Sequence, residues 1–307
     1  MPFFSSFWEI LTTGTLYGSL TRFALFLAFA AVGEWVAERA GTLNISVEGM
    51  ALVAAFAAVA GSDFTNSVAG GVVFAMGAAT LVALVHANLS HRLTANQFVV
   101  GLAINVFALG LTSFLFEQTD LQVKPAGSFP GSNHLPGLLR QILEQRWTAY
   151  LAIPAIAACW WLVFRTRWGL EVRAVGENPQ AADVSGIQVN KRRRQALLVC
   201  GAMCGLAGAY LSLDTTGFSL NMTSQRGYIA IAAVIFGGWT LRGTLAGCVL
   251  FGGVEAFALV VQRLQLDVNR QLLQALPYLV TLAVMAVFAK RTRQPRSLAR
   301  PFVRGLV

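Results

Sequence analysis

Charge is scarce in this sequence. Asp, Glu, Lys and Arg make up 12% of its 307 residues, roughly half of what a soluble domain carries. With 56% hydrophobic residues and 29 glycines, the chain reads as a polytopic membrane protein rather than a water-soluble domain. Catalytic signatures are missing as well. The sequence holds no GxxxxGKS or GxxxxGKT phosphate loop, no dinucleotide fingerprint, no metal-ligand cluster and no nucleophile paired with a base. Paired catalytic groups at membrane depth are therefore lacking, which argues against an intramembrane enzyme. If the chain takes part in active transport, ATP must be hydrolysed by another subunit. The first residues, MPFFSSFWEILTTG, lack the basic start and cleavage site of a removable signal peptide. Cysteine is limited to Cys159, Cys200, Cys204 and Cys248, each inside an apolar run. Cys200 and Cys204 stand one helical turn apart, and no further ligand joins them to form a metal site or makes a disulfide at that spacing feasible. All four are expected to be packing residues.

The charge that is present is concentrated. Arg165 to Arg194 carries seven basic residues and Lys290 to Val307 carries six, together 13 of the 23 Lys and Arg. That clustering argues against nucleic acid as the reason for the net charge of +9; it is the positive-inside pattern, which places both segments in the cytoplasm. Within the first lies a self-contained helix signal. Asn178 is a good N-cap, Pro179 suits the first helical position, Ala181 and Ala182 favour helix, and Gly186 can close it. The spacing predicts a helix of about two turns in a hydrophilic loop. Two readings stand side by side: a docking knob for a cytoplasmic partner, or a solvated linker.

About 20 apolar residues cross a bilayer as a helix. Apolar runs place spans near 16–33, 43–60, 67–89, 96–116, 147–164, 195–213, 226–238, 244–262 and 273–289, nine in all. Alternation from a cytoplasmic 165–194 puts the N-terminus and the turn-rich loop 117–146 outside. Span 226–238 is short and Gly-broken, and is expected to be a full though irregular crossing. Two stretches break the helical pattern at membrane depth, GTLNISVEG (Gly41 to Gly49) and FGGWTLRG (Phe236 to Gly243). Matching breaks in two halves of a transporter point to a binding site between inverted repeats; ordinary turns between spans are the alternative. Ser46 is expected to cap a helix with Glu48 in its first turn. Polar residues inside the membrane tend to face the bundle interior, and the candidates are Arg22, Asn44, Glu48, His86, Gln97, Asn105 and Glu255. Gln97 and Asn105 share a helix face, read as lining a path; His86 reads as interfacial. Gly201/Gly205 and Gly243/Gly247 suit close helix packing.

Four stretches together resemble one family: ERAGTLNISVEGM, ANQFVVGLAINVFALGLTSFL, GENPQAADVSGI and NMTSQRGYIAIAAVIFGGW. They are similar to the permease subunits of ABC importers related to the branched-chain amino acid and ribose systems. Within that family they most resemble the smaller permease of nucleoside importers served by a basic-membrane-protein type lipoprotein. The resemblance implies an all-α, polytopic membrane bundle of about nine spans with broken helices, an inverted-repeat permease fold in a single domain over 1–307. It implies that Glu177, Asn178, Pro179, Ala181, Ala182 and Gly186 form a coupling helix seated on a cytoplasmic ABC ATPase, which would hold the ATP and Mg while this chain holds no cofactor. It also implies a translocation path around Asn44, Ser46, Glu48, Gln97, Asn105, Phe236, Gly237 and Trp239. The partners implied are a second, larger permease, the ATPase and an extracytoplasmic substrate-binding lipoprotein, in the plasma membrane. Gly238 and Gln225 depart from the pattern, where a basic residue and a glycine are expected, and both bear on cargo choice. Amides, one carboxylate and Trp239 suit a neutral hydroxylated ring compound such as a nucleoside. A simple sugar or nucleobase is the sister reading, and a self-sufficient secondary transporter or channel the reading from another class.

Overall fold

The computed structural model describes residues 14–119, 121, 127, 145–214, 217–263 and 294–303, with scattered positions between 271 and 286. The described residues form helices and turns, with no strand among them. In chain order the helices are α1 (Gly14–Arg39), α2 (Val47–Thr65), α3 (Val68–His91) and α4 (Gln97–Gln118), then α5 (Trp147–Tyr150), α6 (Ala152–Arg165), α7 (Arg167–Glu177) and α8 (Pro179–Val184). After them come α9 (Val189–Asp214), α10 (Arg226–Phe236) and α11 (Leu241–Arg263). Among the described residues, seven stretches are long and apolar enough to cross a membrane: α1, α2, α3, α4, α5 with α6, α9 and α11. The chain is thus an all-α polytopic bundle. The expected ninth span, 273–289, and most of loop 117–146 lie outside the described residues.

The expected crossing at 226–238 is half helix. α10 has 11 residues, about 16 Å at 1.5 Å per residue, roughly half the hydrocarbon thickness. Its flanks meet α1 at two separate levels. Before it, Asp214 lies 3.6 Å from Arg22 near the start of α1; after it, Trp239 bonds Glu38 at the end of α1. Between these two contacts the described residues are non-helical over 217–225 and helical only over α10.

α9 occupies the centre, with α1, α2 and α3 packed around it. Lipid tails are as apolar as the side chains they meet, so helices in a membrane associate through close packing rather than burial from water. Small residues permit it. Gly201 and Gly205 of α9 lie against α3, where a Cβ on Gly205 would come within 2.5 Å of the Met76 Cα. Gly33 of α1 meets α9 at Met203 and Cys200, and Gly252 of α11 meets α1 at Ala24. Gly247 approaches Ala233 of α10, while Gly243 packs on Gly237 just past the end of α10. All four cysteines are buried and unbridged.

Gly205 and Gly110 separate packing from helix propensity. Nothing lies within 4 Å of a Cβ built on Gly110. Gly205→Ala should cost about 1–3 kcal/mol through overpacking, whereas Gly110→Ala should leave stability unchanged or slightly raised. Thermal unfolding of the detergent-purified protein measures both, and equal effects would refute the packing account.

Candidate functional site

α1 ends in a turn closed by Gly41, at φ 84°, after which residues 42–46 run without helix inside the bundle. Polar groups at that depth need partners from the protein, and α1, α3 and α4 provide them. The Leu43 amide donates to Gln97 Oε1 at 2.9 Å. The Asn44 amide donates to Glu34 Oε1 at 2.9 Å, and Asn44 Oδ1 accepts from the Ser46 amide at 3.0 Å. Asn105 straddles the start of α2: its Oδ1 accepts from the Gly49 amide at 2.8 Å and its Nδ2 donates to the Ile45 carbonyl at 2.9 Å. Thr42 pairs with His91 at 3.0 Å and Ser46 with His86 at 2.7 Å.

Glu48 joins this break to the second one. From the first turn of α2 its carboxylate accepts from the Thr223 hydroxyl at 2.5 Å, the Gln225 amide at 2.8 Å and the Gly227 amide at 2.7 Å. The last two are free amides at the start of α10, so one carboxylate serves two helix N-termini, where negative charge is favoured. The approach is close enough to require Gly227, whose Cβ would lie 2.6 Å from the Glu48 amide. Gln225, the residue standing where the family pattern has glycine, sits at φ 64°, a left-handed conformation that favours glycine. The departure noted in the sequence is thus one of backbone strain.

Beyond α10 the chain turns through Gly237, Gly238 and Trp239. Trp239 is 3% exposed; its indole donates to Glu38 and its carbonyl accepts from Trp35 Nε1 at 2.8 Å. Glu34 and Glu38, one turn apart and fully buried on α1, therefore hold one break each. The sequence reading ended this span at 33 and missed both. Their i, i+4 spacing with no basic partner on the same face was the available signal.

These contacts show what the expected path residues bond within this chain. Asn44, Ser46, Glu48, Gln97, Asn105 and Trp239 are all buried; each has a polar atom bonded to protein backbone or side chains, while Gln97 Nε2 has no partner. Phe236 and Gly237 are half-buried; Phe236 packs edge-on to Phe251. The Trp239 ring is not free to stack on a cargo. Ser46 stands at the N-cap of α2 without a side-chain capping bond, because its hydroxyl is taken by Asn44 and His86. His86 is fully buried within the protein. Glu255 is paired with Arg226 at 2.5 Å.

At the charged end, α8 forms where expected. Asn178 Oδ1 accepts from the Ala181 amide at 3.0 Å, Pro179 is at the first position, and Gly186 closes the helix at φ 84°. Its faces are distinct. Pro179 and Ala182 are buried against the protein, while Glu177, Asn178, Ala181 and Gly186 are exposed and Val184 is 90% exposed. Pro179 and Ala182 therefore anchor the helix, and Ala181 and Val184 present its free face. The expected cytoplasmic tail is no free tail over 294–303. Phe302 packs against the cluster of Val175, Ala182 and Val189, and the Ser297 amide donates to the Gly176 carbonyl at 3.0 Å. Arg193, fully buried, donates to the Ala40 carbonyl at 3.2 Å, the Arg300 carbonyl at 2.7 Å and Ser297 Oγ at 3.1 Å.

Residues 16–289 match the family described as branched-chain amino acid transport system / permease component. The chain is 32% identical to the guanosine ABC transporter permease protein NupQ of Bacillus subtilis, over 92% of this chain and 94% of that one. It is 33% identical to the putative glucose ABC transporter permease protein TsgC13 of Haloferax volcanii, over 92% and 93%. To the nucleoside ABC transporter permease protein NupC of Lactococcus lactis it is 30% identical, over 88% and 91%.

The Glu48 junction makes a paired prediction. Glu48→Ala strips three donors of a buried charged acceptor and should lower stability by at least about 2 kcal/mol. Gln225→Gly relieves the left-handed residue and should keep stability or raise it by up to about 1 kcal/mol. Thermal unfolding in detergent reads both; a tolerated Glu48→Ala would show that the carboxylate does not hold the two helix starts.

Proposed function

Because the chain belongs to the branched-chain amino acid transport permease family, we propose that it is the transmembrane subunit of an ATP-driven importer of nucleosides. Two relatives named for guanosine and nucleoside, matched over about nine tenths of the chain, carry the cargo class. The break residues add no cargo contact to this reading, since most of their polar groups bond protein. A simple sugar is the second reading, favoured by the relative named for glucose.

The coupling contact is α8. Its cap, its anchored face and its exposed Ala181 and Val184 suit a short knob seated on a separate ATPase, which binds ATP and Mg. The charged end carrying α7, α8 and 294–303 faces the cytoplasm, in keeping with the concentration of Lys and Arg there, and so does the C-terminus. A second, larger permease completes the path, and an extracytoplasmic lipoprotein delivers the cargo. Movement of α8 reaches the membrane interior through bonded neighbours: Gly176 to Ser297, Ser297 to Arg193, and Arg193 to Ala40 at the edge of the first break. The two breaks act as joints. α2 and α10 both start at Glu48, so a displacement of one is passed to the other.

Two measurements test this. Radiolabelled guanosine or other nucleoside uptake should fall on deletion of the gene and be competed by unlabelled nucleosides but not by ribose or glucose; competition by glucose alone would shift the cargo to a sugar. Ala181→Glu combined with Val184→Asp should abolish ATP-driven uptake by at least about tenfold while leaving the protein inserted and its Tm unchanged. Full uptake in that variant would refute α8 as the ATPase contact.

A further inference from the structure

At the end of the bundle where α3 stops and α9 begins lies an open cleft of about 660 Å³. Neither the breaks nor α8 contributes to it. Arg92, Lys191 and Arg194 line it, with no carboxylate among the lining residues. His91, 3% exposed, sits at its floor. The histidine Nε2 is taken by the Thr42 hydroxyl at 3.0 Å, and Nδ1 has no partner. Arg194 Nε is likewise buried without a partner. Three cations line one cleft that has no carboxylate in its lining.

The position of the cleft says which anion. α9 changes character across it, from KRRR at 191–194 to the apolar run that begins at Ala196, and Leu198 closes the apolar side of the cleft. Gln195, also in the lining, accepts from the Trp168 indole at 2.9 Å, and a tryptophan so placed marks the level of the headgroups. The cleft therefore straddles the boundary between headgroup and hydrocarbon. A phosphodiester with acyl chains meets both halves, whereas a free phosphate meets only the cationic one. Basic pockets between spanning helices are general sites for anionic headgroups.

We propose that this cleft binds the headgroup of an anionic phospholipid, held by Arg92, Lys191 and Arg194 at the membrane surface. The test is thermal unfolding of the complete detergent-purified transporter titrated with dioleoyl phosphatidylglycerol, dioleoyl phosphatidylcholine or inorganic phosphate. Phosphatidylglycerol should raise Tm by at least about 3 °C, and the other two should not. Arg92→Gln combined with Lys191→Gln alters exposed side chains only, so it should keep the lipid-free Tm and lose the shift; Arg194→Gln should weaken the shift independently. Arg165→Gln with Arg167→Gln removes the same charge from exposed positions outside the cleft and should retain the shift. An equal response to phosphate, a full response in the cleft variants, or equal loss in the control variant would each overturn the site.

Discussion

A helix that starts inside a bilayer leaves its first amides without partners, and no water is present to take them. Here two helices, α2 and α10, start within the bundle beside one carboxylate. Glu48 belongs to the first and accepts from the amides of the second. Much of the interior chemistry follows from that arrangement. Asn105 takes the Ile45 carbonyl and the Gly49 amide, and also meets the Tyr228 hydroxyl of α10 at 2.9 Å. Gly49 and Gly227 are small because the Asn105 amide and the Glu48 backbone come close to them. A larger residue at either would open the junction.

The buried acids of α1 extend the same logic. Glu34 and Glu38 lie on one face, a turn apart, and reach the Asn44 amide and the Trp239 indole respectively. α1 is thus a strut against which both breaks are registered. At its end, the Ala40 carbonyl receives Arg193 and the Gly41 carbonyl receives the Ala299 amide at 3.1 Å. The 294–303 segment and α9 are tied to the same point. A fully buried guanidinium with three protein acceptors is costly to strand, so this corner resists separation of its parts.

Legibility in the sequence followed the range of the interactions. α8 was readable because every determinant lies within nine residues: Asn178 caps, Pro179 starts, Gly186 ends. Most spans were readable from apolar length alone. Which face of α8 is free was not, since the anchoring of Pro179 and Ala182 depends on packing against the rest of the chain. Polarity at membrane depth was read as channel lining, whereas Asn44, Gln97 and Asn105 serve backbone groups of the breaks. The partners of Glu48 stand 175 to 179 residues away, and no local pattern announces them. Gln225 lies between these cases: its departure from a glycine pattern was visible, and its left-handed φ supplies the physical meaning.

The occupied junction also bears on where cargo can be recognised. A polar group already bonded to protein gains little by exchanging that partner for a ligand, and leaving a buried donor unpaired costs about 1–3 kcal/mol. Trading the present partners of Glu48, Asn105 or Trp239 for a nucleoside would release a helix start or α1. Such a release is a conformational change, not a binding contact. The residues that the sequence marks most strongly as functional are on this reading mechanical. They keep two interrupted helices in register.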